Sequence, residues 1–458
     1  MTPSNTGPER LSGVTAIILA AGVGSRMGAT EPKVLHPLLG RPMAIWVLEA
    51  VRAALSDPAI LLLSPATAAL HALAPKGTLR AEQGEPRGTG DAVRCALPAL
   101  PKGASEVVIA CGDTPLIEPR TISALVSARR AAGAPLALAA FRAEDPTGYG
   151  RVELNGDERA TRVVEERDAS PTVRESDLVN AGLYAVDRAW LETALRGLAA
   201  SPATGEIYLT DLVAVAAAAG SPAPVIIGSG ADLAGVNDRR QFADAAAALR
   251  ERVNGDHMDR GVGMVDPTTT WIDPTVEIAA DVVIEPNVII TGASSIGARS
   301  RIEAGSRIHQ SQIGSGCRVR ASEISESRLR DGAEVGPFAH IRPGCDIGDG
   351  AHVGNYAELK ATILAARVKV GHHSYLGDTT VGEAANIGAG TITANYDGVA
   401  KHATSIGAGA FTGIGTLIVA PLTMGAKSKT GAGAVLLRDL PDGALAVGVP
   451  ARIITPKE

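Results

Sequence analysis

The chain has 458 residues, a formal net charge of −6 and a hydrophobic content of 45%. That length exceeds one ordinary domain and predicts two or three, with enough apolar residues for packed cores. The acidic balance gives no electrostatic reason to expect a nucleic-acid or anionic-membrane partner, and Cys95, Cys111, Cys317 and Cys345 show neither CxxC spacing nor a disulfide framework.

The segment Met1–Gly13 is polar, carries two prolines and lacks an apolar h-region. It reads as a disordered tail (residues 1–14) and not as a signal peptide. No run reaches the length of a membrane span; even Leu209 to Ile227 is broken by glycine and prolines. A soluble protein of the cytoplasm with reduced thiols is expected.

From Thr15 to Leu38 the chain reads TAIILAAGVGSRMGATEPKVLHPL. A short apolar run ends in Gly22, Gly24 and Gly28, interleaved with Arg26 and followed by Lys33. Glycine turns let backbone N–H groups approach phosphate oxygens, and Arg26 and Lys33 supply countercharge. The pattern is neither GxxxxGK[ST] nor GxGxxG. LAAGxGSRM followed by PKxL resembles the signature of the sugar-1-phosphate nucleotidyltransferases.

Up to about Asn237, short apolar runs (Ala16–Leu19, Ile60–Leu63, Val107–Cys111, Leu136–Ala140 and Val225–Ile227) alternate with helical patterns (Met43–Leu55, Thr89–Ala96 and Thr121–Ala132). The alternation predicts a mainly parallel, Rossmann-like sheet wrapped by helices, with ligands beyond the carboxyl ends of the strands. Asp113 follows such a strand through Gly112, where nucleotidyl transfer needs an oxygen ligand for Mg²⁺. The family resemblance implies the same for GDxPL and makes Asn237, in AGVNDR, the second metal ligand. It further implies a nucleotide set of Leu19, Ala20, Ala21, Gly22, Lys33, Gln83, Gly88 and Thr89, the last three from AEQGEPRGTGDA with its slightly longer loop Gly84–Arg87. For the sugar phosphate it implies Gly150 (PTGYGRV), Glu165 (VVEERDA), Asn180 (VNAGLY), Tyr208 and Thr210 (GEIYLTD), and Asn237. Arg26 and Lys33 are the expected electrostatic catalysts.

Arg239 to Val253 reads as a long Ala-rich helix joining two domains as a strut. After Val265 a six-residue beat replaces the helical period: Val276, Val282, Val288; Ile296, Ile302, Ile308; Val335, Ile341, Ile347, Val353, Leu359. Hexads of this kind predict a β-helix whose aliphatics point inward and stack coil on coil. The beat breaks at Ala394 to Ser405, which reads as an extruded loop carrying Lys401.

Within the coils, VGHHSYLGD holds His372, a residue type whose ordinary pKa of ~6.5 near operating pH suits a general base; resemblance to the hexapeptide acetyltransferases implies that it is the base for amine acetylation. Glu358 is a candidate to orient the ring, and Arg342, Lys360 and Tyr375 to grip a sugar phosphate. Taken from Thr15 to Pro450, the chain resembles the bacterial family that unites glucosamine-1-phosphate N-acetyl transfer with N-acetylglucosamine-1-phosphate uridylyl transfer. That resemblance implies a left-handed parallel β-helix, three-fold packing into a homotrimer, and Mg²⁺, UTP, acetyl-CoA, glucosamine 1-phosphate and N-acetylglucosamine 1-phosphate as ligands. It adds Asn386 to the acceptor set, with an oxyanion donor expected near Tyr396, and gives Ala389, Asn395, Tyr396, Ile414 and Ala432 as the acetyl-CoA set. Ile414 stands where the family commonly has serine, and no arginine directly precedes Val449-Pro450, leaving Arg452 as a substitute.

The expected organisation is α/β: a tail (1–14), a nucleotidyltransferase domain (15–238), a linker helix (239–260) and a β-helix acetyltransferase domain (261–458). The alternatives are a monofunctional nucleotidyltransferase whose β-helix only trimerises or regulates, and an acyltransferase for another amino sugar. Free-thiol release from acetyl-CoA distinguishes the first of these.

Overall fold

The computed structural model describes residues 10–22, 27–28, 30–201 and 204–454. Arg26 and most of the expected tail therefore lie outside the described residues. Of that tail, Leu11 is tied to the fold: its N–H donates to the Ala54 carbonyl at 2.9 Å and its carbonyl accepts from Ser56 N at 3.0 Å. The chain divides into two compact units, Met1–Ala248 and Leu249–Glu458.

The first unit is built on a sheet with the strand order Val225–Gly228, Leu136–Arg142, Leu178–Asp187, Glu106–Cys111, Val14–Leu19, Ile60–Leu63, Leu79–Glu82. Its opening strand is buried on both faces. Ala16 and Ile18 join one core with Leu48, Leu61 and Val108, while Ile17 joins the other with Leu62, Ile109 and Val213. Burial on both faces is why this strand reads as a continuous apolar run without alternation. Helices such as Met43–Ala54 and Pro119–Ala132 bury Val47, Leu48, Val51, Ile122, Leu125 and Val126 against the first core.

The sheet is mainly parallel, as expected, with one exception along its main path. Leu178–Asp187 runs antiparallel to both Glu106–Cys111 and Leu136–Arg142, so the sheet is mixed. In the sequence this strand is interrupted by Asn180, Ala181 and Gly182, and its register shifts between Asn180 and Tyr184. That irregularity hid the strand's period and also aims Asn180 at the site.

The helix Arg239–Asp259 is continuous and longer than Arg239–Val253. Each half packs within its own unit. Phe242 meets the His36 ring edge-on at 6.0 Å. Further along, Arg250 lies 4.7 Å over the Trp271 ring, and Asn254 Nδ2 donates to the Pro267 and Thr270 carbonyls at 2.8 and 2.9 Å.

The second unit is a parallel β-helix. Its short strands fall into three ladders, among them Glu277–Ile278, Ser295–Ile296, Gln312–Ile313, Arg328–Leu329 and Asp346–Ile347 in succession. Two positions of each hexad point inward, which explains the two phases of the sequence beat. The strand aliphatics Ile278, Ile284, Ile290, Ile296 and Ile302 are buried, and so are Val276, Val282, Val288, Ser294 and Ser300 two residues earlier. The buried hydroxyls link coils: Ser294 Oγ accepts from Ser311 N, Ser311 Oγ from Ser327 N, and Ser327 Oγ from Cys345 N, at 3.1, 3.1 and 3.2 Å. They complete donors that an aliphatic at the same place leaves without a partner. The extruded segment is a hairpin with Tyr396 bridged to Lys401. Asp397 holds it by accepting from Val399 N, Ala400 N and His402 Nε2, each at 2.7 Å. The backbone donors hold the Asp397 carboxyl well below the usual range, helped by His402. Among the described residues no helix is long and apolar enough to cross a membrane.

Candidate functional sites

In the first unit the opening strand and Glu106–Cys111 run parallel and in register, Leu19 opposite Cys111. Their ends touch: Gly112 N donates to the Leu19 carbonyl at 2.9 Å, and a Cβ on Gly112 would stand 3.0 Å from that oxygen. Glycine therefore lets the chain cross the strand end and deliver Asp113 to the mouth of the sheet. The Asp113 carbonyl accepts from Val236 N at 2.8 Å, which brings the AGVNDR segment alongside. Lys33, from the short turn Lys33–Leu35, is ion-paired to Asp113 Oδ2. Its Nζ also donates to Asn237 Oδ1 at 3.1 Å and to the Val236 carbonyl at 3.2 Å. Two hard oxygen donors thus converge on one cationic point, from residues far apart in the chain. Asp113 and Asn237 fit a divalent cation that takes its remaining oxygens from phosphates and water. Among the described residues no cluster of three or more His, Cys, Asp and Glu side chains offers a metal site.

Two cavities of about 360 and 190 Å³ meet at Asp113, sharing Leu19, Thr89, Cys111 and Glu165. The larger is lined by Ala21, Gly22, Lys33, Gln83, Gly88 and Tyr208. The smaller is lined by Gly150, Asn180, Thr210 and Asn237. Leu19 and Thr89 of the expected nucleotide set and Glu165 of the expected sugar set line both cavities, and two residues depart from their expected places. Tyr208, expected with the sugar group, lines the larger cavity only. Ala20 is fully buried, donates to the Leu62 carbonyl at 2.9 Å and lines neither cavity.

The GTG turn is moulded onto the segment holding Tyr208. Gly90 N donates to the Ile207 carbonyl and Ile207 N to the Arg87 carbonyl, both at 2.8 Å, while Thr89 Oγ1 accepts from Leu209 N at 3.0 Å. Gly88 sits at φ +100°, and a Cβ there would lie 2.4 Å from the Ile207 carbonyl oxygen. Gln83 Nε2 donates to Asp91 Oδ2 at 3.0 Å across this turn.

In the smaller cavity Asn180 N donates to the Gly150 carbonyl at 2.9 Å, and Thr210 Oγ1 donates to Glu165 Oε1 at 2.8 Å. Burial pushes the Glu165 carboxyl above its usual value. The Thr210 bond opposes that shift, and the carboxylates of Asp211, Asp168 and Glu206 add to it. Cys111 and Tyr184 are among the lining residues to which sequence reasoning assigned no role. Burial pushes the Cys111 thiol up to about 12, so it lines the cavity as a neutral group. The Tyr184 hydroxyl accepts from Asn180 Nδ2 at 2.6 Å and is pushed up by burial. Cys111 ends a strand expected only as framework, whereas Tyr184 closes the VNAGLY motif, whose reading stopped at Asn180.

In the β-helix, His372 ends the strand Lys369–His372 and is the register neighbour of Asn355. Its Nδ1 lies 2.5 Å from Asn355 Oδ1. Glu358, expected to orient the ring, is instead the partner of Arg342, whose Nη1 donates to Oε1 at 2.7 Å. The structure substitutes Asn355 because the in-register neighbour one coil away is nearest along the ladder. Glu358 is in turn the register neighbour of Tyr375. Lys360, two residues on, has its ammonium against Lys401 from the hairpin, which depresses its pKa; Arg342 adds to the effect and Asp378 opposes it. Asp378 accepts from Asn395 Nδ2 at 2.5 Å. Three cations, Arg342, Lys360 and Lys401, so gather beside Tyr375 and the buried Asn395. Asn386 lies on the strand paired to that of His372.

Ala389, Ile414 and Ala432 stack on successive coils: Gly415 N donates to the Ala389 carbonyl and Gly433 N to the Ile414 carbonyl, both at 2.8 Å. Ile414 is 67% exposed, and Tyr396, also exposed, donates its hydroxyl to the Gly398 carbonyl at 2.7 Å. Arg452 belongs to the terminal strand Arg452–Ile454, paired antiparallel with Leu445–Val447.

Comparison with known proteins matches residues 16–170 to a MobA-like NTP transferase domain and residues 326–361 to the bacterial transferase hexapeptide, six repeats. The bifunctional protein GlmU of Pelobacter propionicus is 44% identical over 95% of this chain and 96% of its own. The GlmU proteins of Sorangium cellulosum (41%; 95% and 93%) and Mycobacterium bovis (40%; 95% and 90%) match over similar spans. The chain belongs to the GlmU family. It is a bifunctional transferase, with a nucleotidyltransferase domain followed by a hexapeptide acyltransferase domain.

Proposed function

We propose that the second unit acetylates the amine of glucosamine 1-phosphate from acetyl-CoA, and that the first then couples N-acetylglucosamine 1-phosphate to UTP. The observation that carries the reading of the first unit is the convergence of Asp113 and Asn237 on Lys33 where two cavities meet. The larger cavity takes the nucleotide and the smaller the sugar, leaving the reacting phosphates at Asp113. Asp113 and Asn237 are the residues that would hold Mg²⁺, which would neutralise charge on the triphosphate. The sugar-phosphate oxygen attacks the α-phosphorus in line, the bond to the β-phosphate oxygen breaks, and pyrophosphate leaves. No protein nucleophile is required, because holding both substrates in line and supplying positive charge account for most of the rate. Lys33 provides that charge; Arg26, outside the described residues, is assigned the same role. Glu165, Asn180 and Thr210 orient the sugar.

In the second unit the three-cation group accepts the acceptor's phosphate, with Tyr375 and Asn386 beside it. His372 removes the amine proton as the amine attacks the thioester carbonyl, and the thiolate leaves. The stacked column Ala389, Ile414, Ala432, with Asn395 and Tyr396, borders the acetyl-CoA site. The exposed apolar residues Trp271, Ile392 and Leu417, all on one ladder, support a homotrimer.

The test separates the two sites. Asp113→Ala is expected to abolish pyrophosphate release while sparing thiol release from acetyl-CoA, and His372→Ala to do the opposite. Loss of both activities from either folded variant would overturn the two-site reading. The nucleotidyltransferase-only alternative predicts no thiol release from the unaltered protein.

A further inference from the structure

We propose that Asn355 is the positioning residue that fixes the tautomer of His372. The inference rests on the reading of His372 as the base. The strands His352–Asn355 and Lys369–His372 are parallel neighbours with Asn355 opposite His372, and the Asn355 carboxamide oxygen lies 2.5 Å from Nδ1. A carboxamide oxygen only accepts, so Nδ1 carries the hydrogen and donates it, and Nε2 presents the lone pair. In the other tautomer Nε2 offers N–H to the acceptor amine and has no capacity to take its proton.

The contact is held although both residues are partly open to solvent. The next residue on each strand forms a stack: the Tyr356 and His373 rings lie 5.0 Å apart at 20°, and Phe338 extends the stack at 5.5 Å from Tyr356. His373 N also donates to the Asn355 carbonyl at 3.0 Å. The pair 356/373 therefore locks the register of the pair 355/372.

The neutrality of the partner matters as much as its place. A carboxylate there would favour imidazolium and leave the base protonated at neutral pH, whereas an amide orients the ring without that penalty. The titratable and charged groups on the surrounding elements include His352 and Lys369 on the two strands, Tyr356 and His373 in the stack, and Arg342, Glu358, Lys360 and Tyr375 on the adjoining ladder. Of these, Glu358 is committed to Arg342.

The experiment uses the full chain, with thiol release from acetyl-CoA and glucosamine 1-phosphate measured against pH and pyrophosphate release as the internal control. Asn355→Ala is expected to lower kcat for acetylation by about 10- to 100-fold, part of the roughly 10²- to 10⁴-fold that a general base contributes, with KM values and pyrophosphate release unchanged. Asn355→Asp is expected to recover part of the rate while moving the acidic limb of the pH profile upward. Nitrogen NMR of His372 in the unaltered protein is expected to show hydrogen on Nδ1. Unaltered kcat and pH profile in Asn355→Ala, or hydrogen on Nε2, would overturn the inference. His372→Ala distinguishes the levels: if it acetylates normally the base assignment itself fails, and if it is inactive while Asn355→Ala is normal only the positioning role fails. Should both Asn355 variants misfold, the tautomer measurement decides.

Discussion

Glu165 shows how one buried side chain trades stability for recognition. Burial raises its pKa, so the native state holds its proton more tightly than the unfolded chain. Between the unfolded and folded pKa values the native state binds more protons, and stability falls as pH rises through that window. The cost is absent below the ordinary carboxylate range and complete above the raised value. Glu165→Gln keeps an acceptor for Thr210 and removes the charge. Thermal melts at neutral pH are expected to show the first unit stabilised, with the difference vanishing on acidification. The KM for the sugar phosphate is expected to rise about tenfold or more, since a charged hydrogen bond contributes ~1.5–3 kcal/mol. A pH-independent difference in melting would show that the charge is not responsible.

At the scale of elements, the GTG turn and the GEIYLTD segment form one structure although more than a hundred residues separate them. Gly88 is their contact point, and alanine there meets both a left-handed φ and a carbonyl oxygen at 2.4 Å. Gly88→Ala is expected to cost about 1–3 kcal/mol of local strain. The expected result is a raised KM for UTP with unchanged thiol release. An unchanged KM in uridylyl transfer would show that the turn relaxes without moving Thr89 or Gln83. The β-helix shows the opposite kind of legibility. Its six-residue beat was plain because every coil repeats one environment, whereas the antiparallel strand Leu178–Asp187 was not, because its bulge at Asn180 destroys local alternation.

At the scale of the whole molecule, the faces of the β-helix are the natural surfaces for self-association, and one ladder exposes Ile392 (42%) and Leu417 (38%) above Tyr375. Charge placed on that ladder opposes burial against a second copy, since an unpaired charge is costly to desolvate. The double variant Ile392→Lys, Leu417→Lys is expected to sediment as a monomer, to lose acetylation and to retain pyrophosphate release. A trimer of unchanged mass would show that another face makes the interface.

By itself the sequence determined the fold class of the first unit and the architecture of the second. Asp113 and Lys33 sit in short segments where strand, glycine and charge follow one another, so local spacing marks them, whereas Glu165 was marked only by family resemblance. The hexads encode a coil because each must bury the same inward positions. Only the tertiary structure decided which residues meet. Lys33 joins Asp113 and Asn237, Tyr208 lines the larger cavity, Tyr184 the smaller and Cys111 both, and Asn355 takes the place expected for Glu358 at His372. Each of these is a contact across strands or coils, set by register and packing between segments distant in the chain, and no local pattern records it.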